Sequence, residues 1–517
     1  MIICSLLVVM LLPAYAYAGW ARTYTAAGND VGGFIWPNPT GANNFSLWGN
    51  LSSTATPAAH PDYALFARLT STGAFQSGKT VRMTGKHNLW IEEQTDGKFF
   101  VGGTRDTSST STPARNVVWA KYNADWTPAY APKQLGGTRD DNAYFFPTAD
   151  GGYIAIGESN SYGASASDKD ILLIKINSAG AVQWSKALHI GDEDNGGMIT
   201  ELTGGGYVFS GTVKSTTGTD LVIFKISSTG TITWKKKLAK AGFSTPNQIF
   251  QTNNGDIILM ADWVQTQSFG QPGKIMIFRF SSAGVVKFQK SYAHGTDLLP
   301  AGVMSENPDG SFVLSSIIQG INMTTFEMSS KMLLTKLTSQ GALASPSRTL
   351  SIANRYVSAY VLRMANGDLL MSGTSTVMSS GMPTGNMDIL YGKINPSTLL
   401  PVWSKTFGGP GMETGGFFEN GTGYFLTGMT DSFPTTASVI KTFGITLDSN
   451  GSYANCPPIK AATLVSGPAG ITVADALYTI TDPTVVTRNT GPAQSTAMTV
   501  NPQTLTTGQI STCPVTQ

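Results

Sequence analysis

One stretch, DGGYIAIGESNSYGASASDKDILLIKINSAGAVQWSKAL from Asp150 to Leu188, constrains this chain more than any other, because degraded copies of it recur along most of its length. Asp150-Gly151 ahead of an apolar run is a hairpin signal and predicts a two-residue type I′ turn, which needs positive φ at both central positions. Tyr153–Ile156 forms the strand after it. Ile171–Ile176 (ILLIKI) is apolar on both faces, as a strand buried between two layers must be. Asn177-Ser178-Ala179-Gly180 is a turn, and Val182–Leu188 then alternates around Trp184.

The copies align on Lys175, with Gly180 five residues on and Trp184 nine on. Lys225 is followed at the same offsets by Gly230 and Trp234, Arg279 by Gly284 and Phe288, and Lys336 by Gly341 and Ser345. Arg68 has Gly73, Lys121 has Tyr130 at the aromatic position, and Lys393 reaches Trp403 with one extra residue. The basic positions lie roughly 50 to 57 residues apart, and units of this length with four short strands each predict propeller blades. A lone four-stranded sheet cannot bury both faces, so neighbours must pack face to face around an axis.

Eight copies fit between Trp20 and Asn455; seven blades with one irregular unit is the alternative. The last copy has strands at Tyr424–Gly428 and Val439–Leu447 but no aromatic strand after its turn, while the chain opens on an orphan aromatic strand, Trp20–Tyr24. The expectation is an all-β, eight-bladed propeller over 19–455, closed by the N-terminal strand. Residues 456–517, rich in Thr, Val, Ala and Pro, are expected to form a small β appendage or an arm pinned by cysteines. A loose spacer and an arm that pairs with a neighbouring molecule's sheet edge are the other readings.

The K-I-x-x-x-G-x-x-x-W pattern at Lys175–Trp184, with Gly-Gly-then-Asp joints such as Gly136-Gly137 before Asp140, resembles the quinoprotein-like and SBBP-type repeats of exported bacterial propellers. The resemblance covers about four-fifths of the chain and implies a fold rather than a function. For the quinoprotein branch it implies an oxidoreductase with a bound quinone, a calcium ion and an adjacent cysteine pair, and this chain has no such pair.

Residues 1–18 read as a secretory signal: Ile2–Leu12 is an apolar core, Pro13 breaks it, and Ala16-Tyr17-Ala18 suits cleavage before Gly19. Secretion or a cell-surface location follows, with the periplasm as the alternative. Loss of the signal would remove Cys4 and leave Cys456 and Cys513, an even pair suited to a disulfide in an oxidising compartment. Only 13% of residues are charged and the net charge is +2, which gives no footprint for nucleic acid, and no later segment is apolar enough to span a bilayer.

Candidate chemistry is sparse. The position three before each hairpin turn carries Glu93, Glu201, Gln251, Glu306 and Arg363; on an innermost strand these form a polar column for a cation or small polar ligand, or a solvated channel wall. The repeated basic residues fall one per blade, which suits stems packed between sheets with the amine reaching an acceptor; Asp170, Asp220 and Asp388 suit similar edge roles. Asp192, Glu193 and Asp194 form the densest acidic loop and could hold calcium, without the Gly-spaced pattern of a calcium loop. His60, His87, His189 and His294 show no metal-ligand spacing. No nucleophile elbow, Walker loop or helical H-E-x-x-H is present.

The expected function is a non-enzymatic exported module that binds a protein or glycan at the cell surface or in the matrix and self-associates through its tail, with no resident cofactor. A quinoprotein-like oxidoreductase and a carbohydrate-binding propeller, using Trp36, Trp48 or Trp263 to stack on sugars, are the alternatives.

Overall fold

The computed structural model describes residues 20–509, apart from 27–28, 39–43, 54–62, 84–86, 107–113, 434–439, 491–493, 496–497, 503–505 and a few single positions. The signal-like segment, His60, Cys513 and most of the loops at 50–61 and 107–115 therefore lie outside the described residues.

The architecture is all-β. The third unit shows the plan: Asp141–Pro147, Tyr153–Ser159, Asp170–Ile176 and Val182–His189 pair antiparallel in sequence order. Every residue of Asp170–Ile176 is buried, because this sheet packs against a neighbour on each face. Equivalent four-strand units occupy 29–82, 87–135, 194–239, 242–293, 303–351 and 355–407. The fourth and fifth units merge into one ten-stranded sheet, through parallel pairing of Gly218 with Gly242 and Thr219 with Phe243.

The circuit closes as expected. Glu413–Asn420, Gly423–Thr430 and Lys441–Leu447 are completed by Ala21–Thr25, with Ala21 opposite Ile445. The Trp20 amide donates to Thr446 Oγ1 at 2.7 Å. This closing unit packs on the first one through a core holding Trp20, Tyr24, Ile35, Phe45, Phe418 and Phe425.

Two expectations need correction. Asp150-Gly151 is not a two-residue type I′ turn. Thr148 N–H bonds to Gly152 O at 3.0 Å and Gly151 N–H to Thr148 O at 2.9 Å, and only Gly151 has positive φ, at 75°. This is the three-residue hairpin loop with a left-handed third residue, which tolerates an ordinary residue at Asp150. The sequence also reads 320–331 and 374–388 as loops joining the second and third strands of their units, but Phe312–Ile321 with Met328–Leu337, and Leu369–Ser379 with Met382–Ile394, are long hairpins.

The larger correction is the tail, which is neither an appendage nor a spacer. It runs round the ring against the order of the units and adds a fifth strand to the outer edge of each. Ile459–Ala461 pairs with the seventh unit, Val465–Pro468 with the sixth, Thr472–Asp475 with the fifth and Thr479–Thr481 with the fourth. Val486–Arg488, Gln494–Ser495 and Thr499–Pro502 follow on the third, second and first. Thr506–Gln509 ends beside Ala21–Thr25 in the closing unit. The step is legible once seen: Ala462, Ala469, Ala476 and Pro483 recur every seven residues, each followed two residues later by Leu464, Ile471, Tyr478 or Val485. Seven extended residues span about 23 Å, enough to carry the tail from one sheet edge to the next.

The joints between units explain the repeat. The aromatic of one copy presses on the glycine of the next: a Cβ at Gly230 would sit 2.8 Å from the Trp184 ring, and one at Gly284 would sit 2.8 Å from Trp234. The Trp184 indole N–H also reaches Ser228 O at 2.8 Å, in the same turn. Trp20 meets Gly73 in this way across the ring closure.

Candidate functional site

The polar column lies at these joints. Glu201 accepts the Ala149 N–H at 2.8 Å, Gln251 the Thr203 N–H at 2.8 Å and Glu306 the Asn253 N–H at 2.7 Å, each from the hairpin turn of the preceding unit. Arg363 donates to Asn307 Oδ1 at 2.9 Å. Glu93 is fully buried and accepts from Arg68 at 2.8 Å and Ser46 at 2.6 Å. These side chains staple neighbouring sheets. The repeated basic residues do related work. Lys175 reaches Asp150 at 2.8 Å, Arg279 reaches Asp256 at 2.8 Å and Lys393 reaches Asp368 at 2.6 Å, while Lys225 donates to Ser282 O in the next unit at 3.0 Å.

The acidic loop does not converge. Glu193 pairs with Lys214, whereas Asp194 turns inward, fully buried, and accepts the Ile190 and Gly191 N–H groups at 2.5 and 3.1 Å. Burial pushes the Asp194 carboxyl up to about 6, against the pull of those N–H bonds. Asp141 and Glu413 cap their own Gly-rich joints from the Gly137 and Gly409 N–H groups, each at 3.0 Å, so the acid of the Gly-Gly joint is Asp141 rather than Asp140. Asp388 takes Arg355 at 2.6 Å.

The structure assembles one group that spacing did not reveal. Asp168, Asp170 and His189 bring ligand-type atoms within 4.8 Å of one another. A cation already stands there: Arg488 of the tail lies 3.0 Å from Asp168 and 2.8 Å from Asp170. The cluster anchors the tail. His294 pairs with Asp297 at 2.7 Å.

The tryptophans proposed for sugar stacking are packed. Trp36 stacks on Phe418 with centroids 4.9 Å apart, Trp48 packs beside the core of the second unit, and Trp263 is only 8% exposed. Trp263 nevertheless stands in the wall of a wide cleft. It opens where the fourth and fifth units merge, has a volume of about 1010 Å³, and is crossed by Leu477 and Thr479 of the tail.

Its cause is a missing loop. The fourth unit joins its second and third strands through Thr216-Thr217 alone, where the third unit uses residues 160–169. At Gly218 the backbone of the next sheet comes so close that a Cβ would collide with Gly242 O, so the sheets touch and a recess opens outside them. The Trp263 indole N–H is pinned to Ala241 O at 3.1 Å. Lys240 and Lys274 each lie 5.4 Å from its ring centroid, and Lys240 is 5.7 Å from that of Tyr478. Lys237 is paired with Asp220 at 3.1 Å. Lys240 and Lys274 have no carboxylate within ion-pair distance among the described residues. No helix among the described residues is long and apolar enough to cross a membrane.

No family model matches the chain, and no curated protein matches it. Among solved structures it is similar to Sqt1 of Chaetomium thermophilum, at 11% identity and a TM-score of 0.41, covering 84% of this chain and 98% of that one. A polysaccharide lyase, an ulvan lyase, aligns at 9% identity and a TM-score of 0.39, covering 69% and 91%. Plexin A of Drosophila, solved with semaphorin 1b, aligns at 7% identity and 0.32, covering 84% and 88%. At these levels no activity, ligand or partner transfers to this chain.

Proposed function

We propose that the protein is an exported, non-enzymatic propeller of eight blades that acts as a rigid binding module outside the cell, like the bacterial repeat proteins its K-I-x-x-x-G-x-x-x-W units resemble. The observation that carries this reading is the girdle. The tail spends its strand-pairing on the chain's own sheets and replaces long outer edges with segments of two to four residues. Short edges resist edge-to-edge association, so the module works as a single copy and not as a tail-linked assembly. The merged sheet counts as two blades, since it holds two complete four-strand units. Cys456, buried where the tail departs, is bridged to Cys513 in the mature protein.

A rigid body with a lined cleft suits recognition. The test uses the chain from residue 19 onwards. Light scattering is expected to give a monomer, and saturable ligand binding is expected to leave the ligand chemically unchanged. Turnover of the bound ligand, or a quinone spectrum after reconstitution with calcium and the quinone, would overturn the reading in favour of an enzyme.

A further inference from the structure

We propose that the recess beside Ser77, at the joint of the first and second units, binds one neutral hexopyranose ring. Trp126 supplies its apolar wall, and Arg68, Lys79 and Asp125 supply the polar one. The proposal rests on the binding-module reading and adds its ligand class.

Four observations carry it. The first is a missing ring. At most joints an aromatic side chain presses on the glycine of the next turn, as Tyr130 does on Gly180 and Phe288 on Gly341. Ser77 holds the corresponding position in the first unit and is exposed, and a recess of about 230 Å³ opens beside it. That is below the range of about 300–1,000 Å³ that takes drug-sized ligands, and suits a single ring.

The second is strain. The place of the receiving glycine is taken by Trp126, whose φ of 67° is one that a bulky side chain adopts only at a cost. Its indole stacks on Phe99, and the half-buried residue still lines the recess. With Phe66 it offers apolar surface to the C–H face of a pyranose.

The third is an orphaned donor. Arg68 donates a terminal N–H to Glu93 at 2.8 Å, while its buried Nε–H has no partner. A buried donor without an acceptor is costly, and a ligand oxygen relieves that cost.

The fourth is mixed polarity. Lys79 stands in no ion pair among the described residues. Asp125 takes the Thr127 N–H and O–H on Oδ1, at 2.9 and 2.6 Å, and its Oδ2 accepts no hydrogen bond among the described residues. Ser77 adds a hydroxyl. A singly charged ligand meets a like charge here whichever its sign. Sugar hydroxyls both donate and accept, so one neutral ring uses both kinds of group.

The experiment is ligand-observed NMR titration of the chain from residue 19 onwards. The probes are the methyl glycosides of glucose, galactose and mannose, with cellobiose, lactose, glucuronate and indole-3-acetate. At least one methyl glycoside is expected to bind at one saturable site. Its affinity should change less than about twofold when salt shortens the screening length from about 10 Å to about 3 Å. A free hexose and the end residue of a neutral glycan present the same ring. A disaccharide that binds as tightly as its methyl glycoside assigns the glycan end, and one that fails assigns the free sugar.

Ser77→Leu fills the recess and should weaken binding at least about tenfold, with the melting temperature unchanged or raised. Should that variant melt early, Asp125→Asn, at an exposed turn, puts a donor where Oδ2 accepted and should weaken binding at least about fivefold. Binding that survives the substitutions, no binding of any neutral sugar, or tighter binding of glucuronate or indole-3-acetate overturns the proposal. Release of methanol from a bound methyl glycoside would instead defeat the non-enzymatic reading and leave the ligand class standing, so the two failures are distinguishable.

Discussion

The ring and the girdle are both antiparallel β-structure, yet they are held by different means. A ring strand such as Asp170–Ile176 is buried throughout, whereas Val465–Pro468 has no fully buried residue and Thr472–Asp475 is mostly exposed. The ring is stabilised by apolar burial, at about 25 cal/mol per Å². Each girdle segment contributes two to four paired residues, too few to dock alone. Linkage supplies the rest: once one segment is seated, the next is held at high effective concentration beside its own edge. Shallow anchoring repeated round a circle does what deep burial does at one place.

The largest expected effect comes from separating the two. Deleting 456–517 uncovers the outer strand of every unit. Hydrogen bonds at about 1 kcal/mol net each, offset in large part by the cost of ordering the tail, leave a loss on the order of 5–10 kcal/mol, with aggregation through the bared edges. A melt and scattering trace unchanged by the deletion would reduce the girdle to decoration.

The next prediction concerns the joints. At two of them the knob and the hole have changed places. Ser77 and Ser345 stand where an aromatic is expected, and the receiving glycine is replaced by Trp126 and Leu399, with φ of 67° and 57°. Trp126 stacks on Phe99 with centroids 4.2 Å apart, and a cavity of about 230 Å³ remains beside Ser77. Trp126→Gly should cost about 3 kcal/mol in a denaturant titration. Adding Ser77→Trp should recover at least half, because it restores the ordinary arrangement. No recovery would mean that the exchange is accidental.

Arg488 tests whether the girdle's anchors matter singly. Arg488→Ala leaves Asp168 and Asp170 facing each other without their cation. Since the arginine is 23% exposed, a loss of about 1–2 kcal/mol is expected, with early protease cleavage near Thr487. Equal cleavage rates would show that neighbouring segments hold this one.

An effect of about the same size as that of Arg488→Ala is pH-dependent. Burial holds the Asp194 carboxyl at about 6, above its ordinary 3.8, so the folded chain binds this proton more tightly than the unfolded one. Its stabilising contribution is full below about pH 4 and is lost as pH rises through about 6, a change on the order of 2 kcal/mol. Asp194→Asn should flatten the stability profile across that window. A profile as steep as the parent's would assign the slope to Asp141 and Glu413, which burial also raises.

The ring was legible because its code is written in side chains: Lys175, Gly180 and Trp184 recur, and Trp20 without a sheet of its own implied closure. The polar column was legible in position but not in partner, since Glu201 and Glu306 bond to backbone N–H groups, which leave no mark on a side-chain pattern. The tail was legible as β-structure but not as a girdle, because segments as short as Gln494–Ser495 carry nothing that names the edge they join. Its seven-residue beat of Ala469 and Ile471, Ala476 and Tyr478 is set by the spacing of sheets, not by any period of its own. The cleft was hidden for a similar reason, being made by what the fourth unit lacks at Thr216-Thr217.

Ala21–Thr25 is flanked on one side by Lys441–Leu447 and on the other by Thr506–Gln509. Ala21–Thr25 must thus wait without a neighbour until synthesis has passed Lys441–Leu447, and its second neighbour follows later still. Closure is gated on those distant segments: a ribosome stalled anywhere upstream of them yields a string of half-built wedges that proteases can clear.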